Sequence, residues 1–440
     1  MRLCVLALLV CRFFTSAQAA PHKLTLEQAI AKAVVGPKVR MADGDTAIAA
    51  ARVDEADAAR LPRVKATAFG TVSPDIDCLN PDCTRTGPEN FAFDFQGLFG
   101  GASLEITQPL YTFGKIDHAR VAARAGVDAQ RALADEVAGD TAVDAARAYW
   151  GVKLARELGF MLDDGIEEIG KAIAKFDERT GKDAVSIQDR QRVVILMAEA
   201  KVQRADATQG EHQALAGLRA ITGVLEADID DPPLAAVTRE LPKTALGETR
   251  PQALAAKQGA RAYDELAAQA RSYYFPDIAI VGQASVAAAQ GANDPPNVYA
   301  NDPFNKLSAG VVLAVQWQLE PWNVKAKVDK ARAEAHKARA QSDLASAGAR
   351  YDAETALSEA VAARDKVAAA DDGVKAARTW LASVLQADAI GTAEAKDLAD
   401  AYIAWFQMRA RWAQAVFQWN VAVVRLGRAA GEFRAGGRRP

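Results

Sequence analysis

Four stretches of the chain alternate apolar and polar residues, against a background that otherwise keeps helical spacing. From Leu307 to Leu319 every second residue is apolar, while the opposite face mixes Ser308, Gln316 and Gln318 with Val312 and Ala314. A period of two predicts a strand with one greasy side, and the length suits a tilted membrane strand of roughly 9–11 residues or slightly more. Pro321, which has no N–H to donate, is expected to end that ladder. The stretch 64–73 sets Val64, Ala66, Ala68 and Val72 against Lys65, Thr67, Thr71 and Ser73. The stretch 98–107 sets Ala102, Leu104 and Ile106 against Ser103, Glu105 and Thr107, and the stretch 277–286 alternates Ile278, Ile280, Ala284 and Val286 with Ala279, Val281, Gln283 and Ser285. Glu105 on such a strand implies a wet face. Tyr111 and Phe113, expected just past the second strand, and Tyr273, Tyr274 and Phe275 sit at strand ends, as residues do at a membrane interface.

The rest predicts helices. Leu24 to Arg60 forms a first helix, opened by a capping box of Thr25 and Gln28 and broken at Gly36-Pro37. A second runs from Lys115 to Glu178 and returns from Ser186 to Ile221. At ~1.5 Å per residue the outgoing arm is on the order of 95 Å long, which predicts an elongated antiparallel hairpin. Gly181 supplies its turn, and Ser186 caps the return helix with Asp189 at the capping-box position. After Pro321 a proline-free segment runs out to about Leu385 and back from Ala393 to Ala429, turning at Gly391 and Thr392. Trp405, Trp412 and Trp419 recur at heptad spacing, the mark of a helix–helix seam.

This plan occurs twice. Pro109, Lys115, Asp117 and Arg120 fall on Pro321, Lys327, Asp329 and Arg332, and Pro62 matches Pro276 ahead of a strand. Matched punctuation in matched order implies an internal duplication. It predicts a first repeat at 20–223, a connector at 224–249 broken by Pro232, Pro233 and Pro242, a second repeat at 250–430, and a disordered tail at 431–440. The four prolines Pro62, Pro109, Pro276 and Pro321 would mark the junctions between strands and helices.

Residues 1–19 read as a secretory signal: Arg2 ahead of an apolar run, then Ala17-Gln18-Ala19. Export places Cys78 and Cys83 in an oxidising compartment, where the pair is expected to close a small disulfide loop; a metal site would need further ligands, and no His or Cys lies nearby. A net charge of −3 gives no support to nucleic-acid binding. His22, His118, His212 and His336 are scattered, and neither a phosphate loop nor a nucleophile motif is present, so the chain reads as no enzyme and calls for no cofactor.

Four strands cannot close a membrane barrel, for which about eight is the small limit, so the chain must associate with copies of itself. At this point the residues resemble the TolC-like outer-membrane efflux proteins. The match rests on the duplication, on Thr107-Gln108-Pro109-Leu110-Tyr111-Thr112-Phe113-Gly114-Lys115, and on Gly391-Thr392 followed by Asp397-Leu398-Ala399-Asp400-Ala401. Pro321-Trp322-Asn323 departs from the family pattern at the second strand end. The resemblance implies a homotrimer in the outer membrane of a Gram-negative-type bacterium. Its twelve-stranded β-barrel would continue into a long α-helical barrel of coiled-coil hairpins reaching into the periplasm. It implies a passive exit duct of a tripartite efflux or type I secretion system, with a periplasmic adaptor and an RND or ABC inner-membrane pump as partners. Asp397 and Asp400, and more loosely Asp189, would narrow the periplasmic aperture, while Gly181, Ser186, Gly391 and Thr392 would contact the adaptor. The competing reading is a periplasmic coiled-coil protein with a structural or adaptor role and no membrane insertion.

Overall fold

The computed structural model describes residues 22–75, 94–178, 186–230, 232–244, 250–290, 305–390 and 392–435. Cys78 and Cys83 lie outside them. The chain runs β1 (His22–Leu24), α1 (Leu26–Ala33), α2 (Pro37–Ala58), β2 (Arg63–Asp75), β3 (Asp94–Tyr111), α3 (Lys115–Glu178), α4 (Ile187–Thr222) and β4 (Ala227–Ile229). It continues with α5 (Pro251–Ser272), β5 (Asp277–Ala289), β6 (Lys306–Gln316), α6 (Pro321–Ala389) and α7 (Ala395–Ala429). Two compact units result, and neither coincides with one sequence repeat. One gathers 44–132 and 253–345, the other 1–43, 133–252 and 346–440.

The first unit holds a four-stranded antiparallel sheet in the order β2-β3-β5-β6. Alternation becomes register here. Val64 lies opposite Ile106, Ile106 opposite Gly282, and Gly282 opposite Val311, so apolar positions share one face across all four strands. Leu104, Ile280, Val286, Leu307, Leu313 and Val315 stand on that face and are exposed. The other face carries Lys65 opposite Glu105, and Glu105 opposite Gln283.

Two strand ends differ from expectation. β6 stops at Gln316 rather than Leu319, because Gln316 pairs with Asp277, the first residue of β5, and Trp317 has no strand beside it. Trp317 instead donates its Nε1–H to the Tyr274 carbonyl at 3.2 Å. Pro321 therefore does not end a ladder. It opens α6, where the first helical position needs no N–H. Conversely β3 runs past Pro109 to Tyr111, with an irregularity between those two residues that spares the ladder the missing donor.

In the second unit, α1 is held by the reciprocal Thr25–Gln28 capping box. Gly36 separates it from α2, since a Cβ there would meet the Ile221 carbonyl at 2.6 Å. Leu24, Tyr149, Trp150, Val152, Leu218, Ile229 and Val416 form the main core. A second cluster packs Ala353, Ala356, Ala360 and Ala363 of α6 against Trp419, Val423 and Leu426 of α7. Small residues on one helix and large ones on the other let the two axes approach closely. Trp412 packs on the main core and Trp405 on Leu381, Val384 and Ala401, so the heptad tryptophans are a packing seam. The connector expected at 224–249 contains a short strand. Its residues Ala227–Ile229 pair in parallel with His22–Leu24, a strand of three residues being too short to show a period. The segment 431–435 is not a disordered tail either. Ala435 is buried, its N–H donates to Asp135 at 2.9 Å, and Arg434 pairs with the same carboxylate.

Candidate functional site

The predicted site residues fall at the strand–helix junctions and the hairpin tips, and a third feature is the strap that follows α4 and packs on the cores.

At the junctions, Pro62 and Pro276 sit just before β2 and β5, Pro321 begins α6, and Pro109 lies inside β3. Phe113 and Gly114 turn β3 into α3 with φ of 49° and 90°, a left-handed pair that glycine eases. Among the described residues the second copy shows no such left-handed pair, and Pro321-Trp322-Asn323 stands at its junction. Phe113 stacks on Phe275 at 5.2 Å and meets Tyr111 edge-on at 4.7 Å. Lys115 is mostly buried; its Nζ reaches Asp277 at 2.8 Å and the Phe275 carbonyl at 3.0 Å. The repeat-related Lys115 and Lys327 both approach the ring of Tyr273, at 5.4 and 5.9 Å. Arg60 pairs with Asp117, and Arg120 with Asp57, whose carboxyl is held below its usual range chiefly by that guanidinium hydrogen bond. His118 Nδ1 lies 2.8 Å from Glu265.

At the first tip, Gly181 is outside the described residues, as is the side chain of Asp189, which occupies the first turn of α4. Ser186 precedes that helix, and its carbonyl accepts the Arg190 N–H at 3.1 Å. Arg190 ties the start of α4 to the end of α3 through Asp177 at 2.8 Å. At the second tip Gly391 is likewise outside the described residues. Thr392 donates both its N–H and its hydroxyl to the Ala387 carbonyl, at 2.9 and 3.1 Å, closing the end of α6. Asp397 and Asp400 are exposed on the first turns of α7, three residues apart and so on one face. Leu398 and Ala401 turn inward to the cluster around Leu381. Asp400 lines a groove with Arg192, Leu196 and Glu199 of α4 and with Lys396, so the two tips approach each other there.

The strap was not anticipated. Lys153, almost wholly buried on α3, donates to the Pro232 carbonyl at 2.6 Å and lies 3.2 Å from Asp230, which also accepts the Tyr149 hydroxyl. Burial and the Asp230 charge push that phenol's pKa up. Asn420 and Trp419 of α7 hold Ala235 and Val237 by their backbone. Arg250 bridges Glu136 of α3 and Asp352 of α6, and Arg428 of α7 joins the same Glu136. The one sequence signal for any of this is Asn420, placed directly before the apolar run Val421–Val424.

Among the described residues no cluster of three or more His, Cys, Asp or Glu is placed to hold a metal ion, and no helix is long and apolar enough to cross a membrane.

The family model described as "Outer membrane efflux protein" matches residues 35–224 and 241–432. A comparison with curated protein sequences finds no match. Among solved structures, a membrane protein from Pseudomonas aeruginosa superposes with a TM-score of 0.77 at 19% identity, over 95% of this chain and 92% of the other. The CmeC outer membrane channel of Campylobacter jejuni gives 0.75 at 14% identity, over 94% and 87%. The MtrE outer membrane channel of Neisseria gonorrhoeae, in its open state, gives 0.74 at 18% identity, over 92% and 88%. These likenesses establish the fold. With both halves covered by the family model, the chain belongs to the outer membrane efflux protein family.

Proposed function

We propose that three copies of this chain make one passive duct, each contributing four strands to a twelve-stranded barrel and two helical hairpins to a tunnel reaching into the periplasm. One observation supports this most. The sheet β2-β3-β5-β6 leaves an apolar face open to the surroundings, and among the described residues its outer strands β2 and β6 are each paired on one side only. Hydrocarbon welcomes the apolar face but tolerates no unpaired backbone, so the sheet has to close through neighbours. Two copies would give eight strands; the family resemblance favours three.

In that assembly the face with Lys65, Glu105 and Gln283 looks onto water. Asp397 and Asp400, with Asp189, narrow the periplasmic mouth, and three carboxylates brought to one axis favour cations. The tips at Gly181, Ser186, Gly391 and Thr392 meet a periplasmic adaptor, which joins the duct to an inner-membrane pump of RND or ABC type. The pump chooses the cargo, and the duct performs no chemistry.

The test is biochemical. Extraction from the outer-membrane fraction should require detergent, the band should migrate differently before and after boiling, and the detergent-solubilised mass should be that of three chains. A mature protein that stays monomeric in water without surfactant would end the proposal and favour a soluble periplasmic adaptor.

A further inference from the structure

The polar face of the sheet is built in tiers. Thr67, Ser103, Ser285 and Ser308 follow in register across all four strands, with Ser285 Oγ 2.7 Å from Ser308 Oγ. On one side of this hydroxyl tier lie Lys65, Glu105 and Gln283, toward the helices. On the other side, farther from the helices, the chemistry changes. Phe69 stands opposite Gly101, and Phe99 opposite Thr71.

The two rings meet edge to face with centroids 5.1 Å apart. Phe69 lies against Gly101, where a Cβ would come within 2.9 Å of the ring's Cε1. The glycine thus lets the ring lie down on the strand instead of standing away from it. Phe69 keeps half its surface exposed. Phe69 stands on the face opposite Val64, Ile106, Leu313 and the other apolar residues, with the partly buried Phe99 at its edge. Val281 and Val312 stand on the same face nearer the helices, but only the phenyl ring, with an edge beside it, offers a planar solute stacking.

We propose that Phe69 and Phe99 form an aromatic landing in the channel wall that binds planar aromatic solutes weakly during their passage. The inference rests on the polar face lining the duct, as proposed above.

The experiment uses the purified full-length mature channel in planar bilayers, with naphthalene-2-sulfonate added on the side opposite the helices. Its negative charge keeps the probe away from the carboxylates of the helical mouth. In the wild type the probe should add current noise that saturates with concentration. Phe69→Ser should raise the half-saturating concentration about fivefold, as loss of one stacking partner implies, while Phe69→Tyr should stay within about twofold. If Phe69→Ser fails to insert, Phe99→Ser carries the same expectation. Equal half-saturation in the wild type and the serine variant, or no probe-dependent noise in conducting wild-type channels, overturns the landing and leaves the duct intact. Inserted protein that gives no channels at all overturns the duct itself.

Discussion

The side-chain amide of Asn420, buried in α7, accepts the Val237 N–H at 2.9 Å, and the same amide donates to the Ala235 carbonyl at 2.8 Å. It thus offers the strap what a neighbouring strand would offer, one acceptor and one donor to alternate residues. Trp419 adds its Nε1–H to the Val237 carbonyl at 2.8 Å. Asn420→Leu keeps the branched shape of the side chain but strands both backbone groups away from water. A loss of about 2–3 kcal/mol is expected, read by denaturant unfolding in detergent, together with new protease cleavage within 232–244. An unchanged unfolding midpoint would show that water satisfies those groups.

Asp397 and Asp400 have exposed carboxylates on one face of α7. If they ring the mouth of the duct, Asp397→Ala combined with Asp400→Ala raises single-channel conductance and abolishes block by divalent cations. Identical conductance and identical block in the double variant would remove both residues from the aperture.

Asp57 is bonded to Arg120 and ionises more readily folded than unfolded. A depressed carboxyl pKa stabilises the fold above the unfolded value of about 3.9, and that contribution is lost as pH falls through the lower, folded value. Asp57→Asn should therefore be less stable than the wild type at pH 7, and the gap should close as pH drops below about 4. A gap independent of pH would mean the carboxylate charge is not what matters.

Two glycines contact large side chains of α7 in different ways. A Cβ on Gly165 would lie 2.5 Å from the Phe406 ring, and one on Gly373 would lie 2.2 Å from the terminal methyl of Met408. Met can swing its methyl aside, but a ring hemmed by Trp405 and Tyr402 cannot move so freely. Alanine gains about 1 kcal/mol of helix propensity at either position. Gly373→Ala should be neutral or stabilising, and Gly165→Ala should unfold more easily than Gly373→Ala by about 1 kcal/mol. Equal stabilities would show that Phe406 repacks at no cost.

Most elements were legible in the residues because each carries its own signal. α3 begins at Lys115 and ends at Glu178 as the pattern predicts, and α2 starts at Pro37 after Gly36. Alternation identified the strands and their greasy side, since a period of two leaves no freedom over which residues share a face. The doubled Pro-strand-helix plan made the family readable as well. The extent of the strands was not readable, because a strand ends where its partner ends. β6 stops where β5 begins, and β3 crosses Pro109 because the ladder slips there.

What the linear chain determined alone is everything local: helical or extended backbone, the apolar face, the turns, and the internal repeat. Folding decided what depends on residues far apart in sequence. It joined His22–Leu24 to Ala227–Ile229, set Asn420 on a strap nearly two hundred residues earlier, brought Lys115 and Lys327 to one tyrosine, and laid Phe69 on Gly101. A periodicity reports only the environment a residue prefers. Which particular partner supplies that environment is settled by register and packing, and these exist only once the chain has closed on itself.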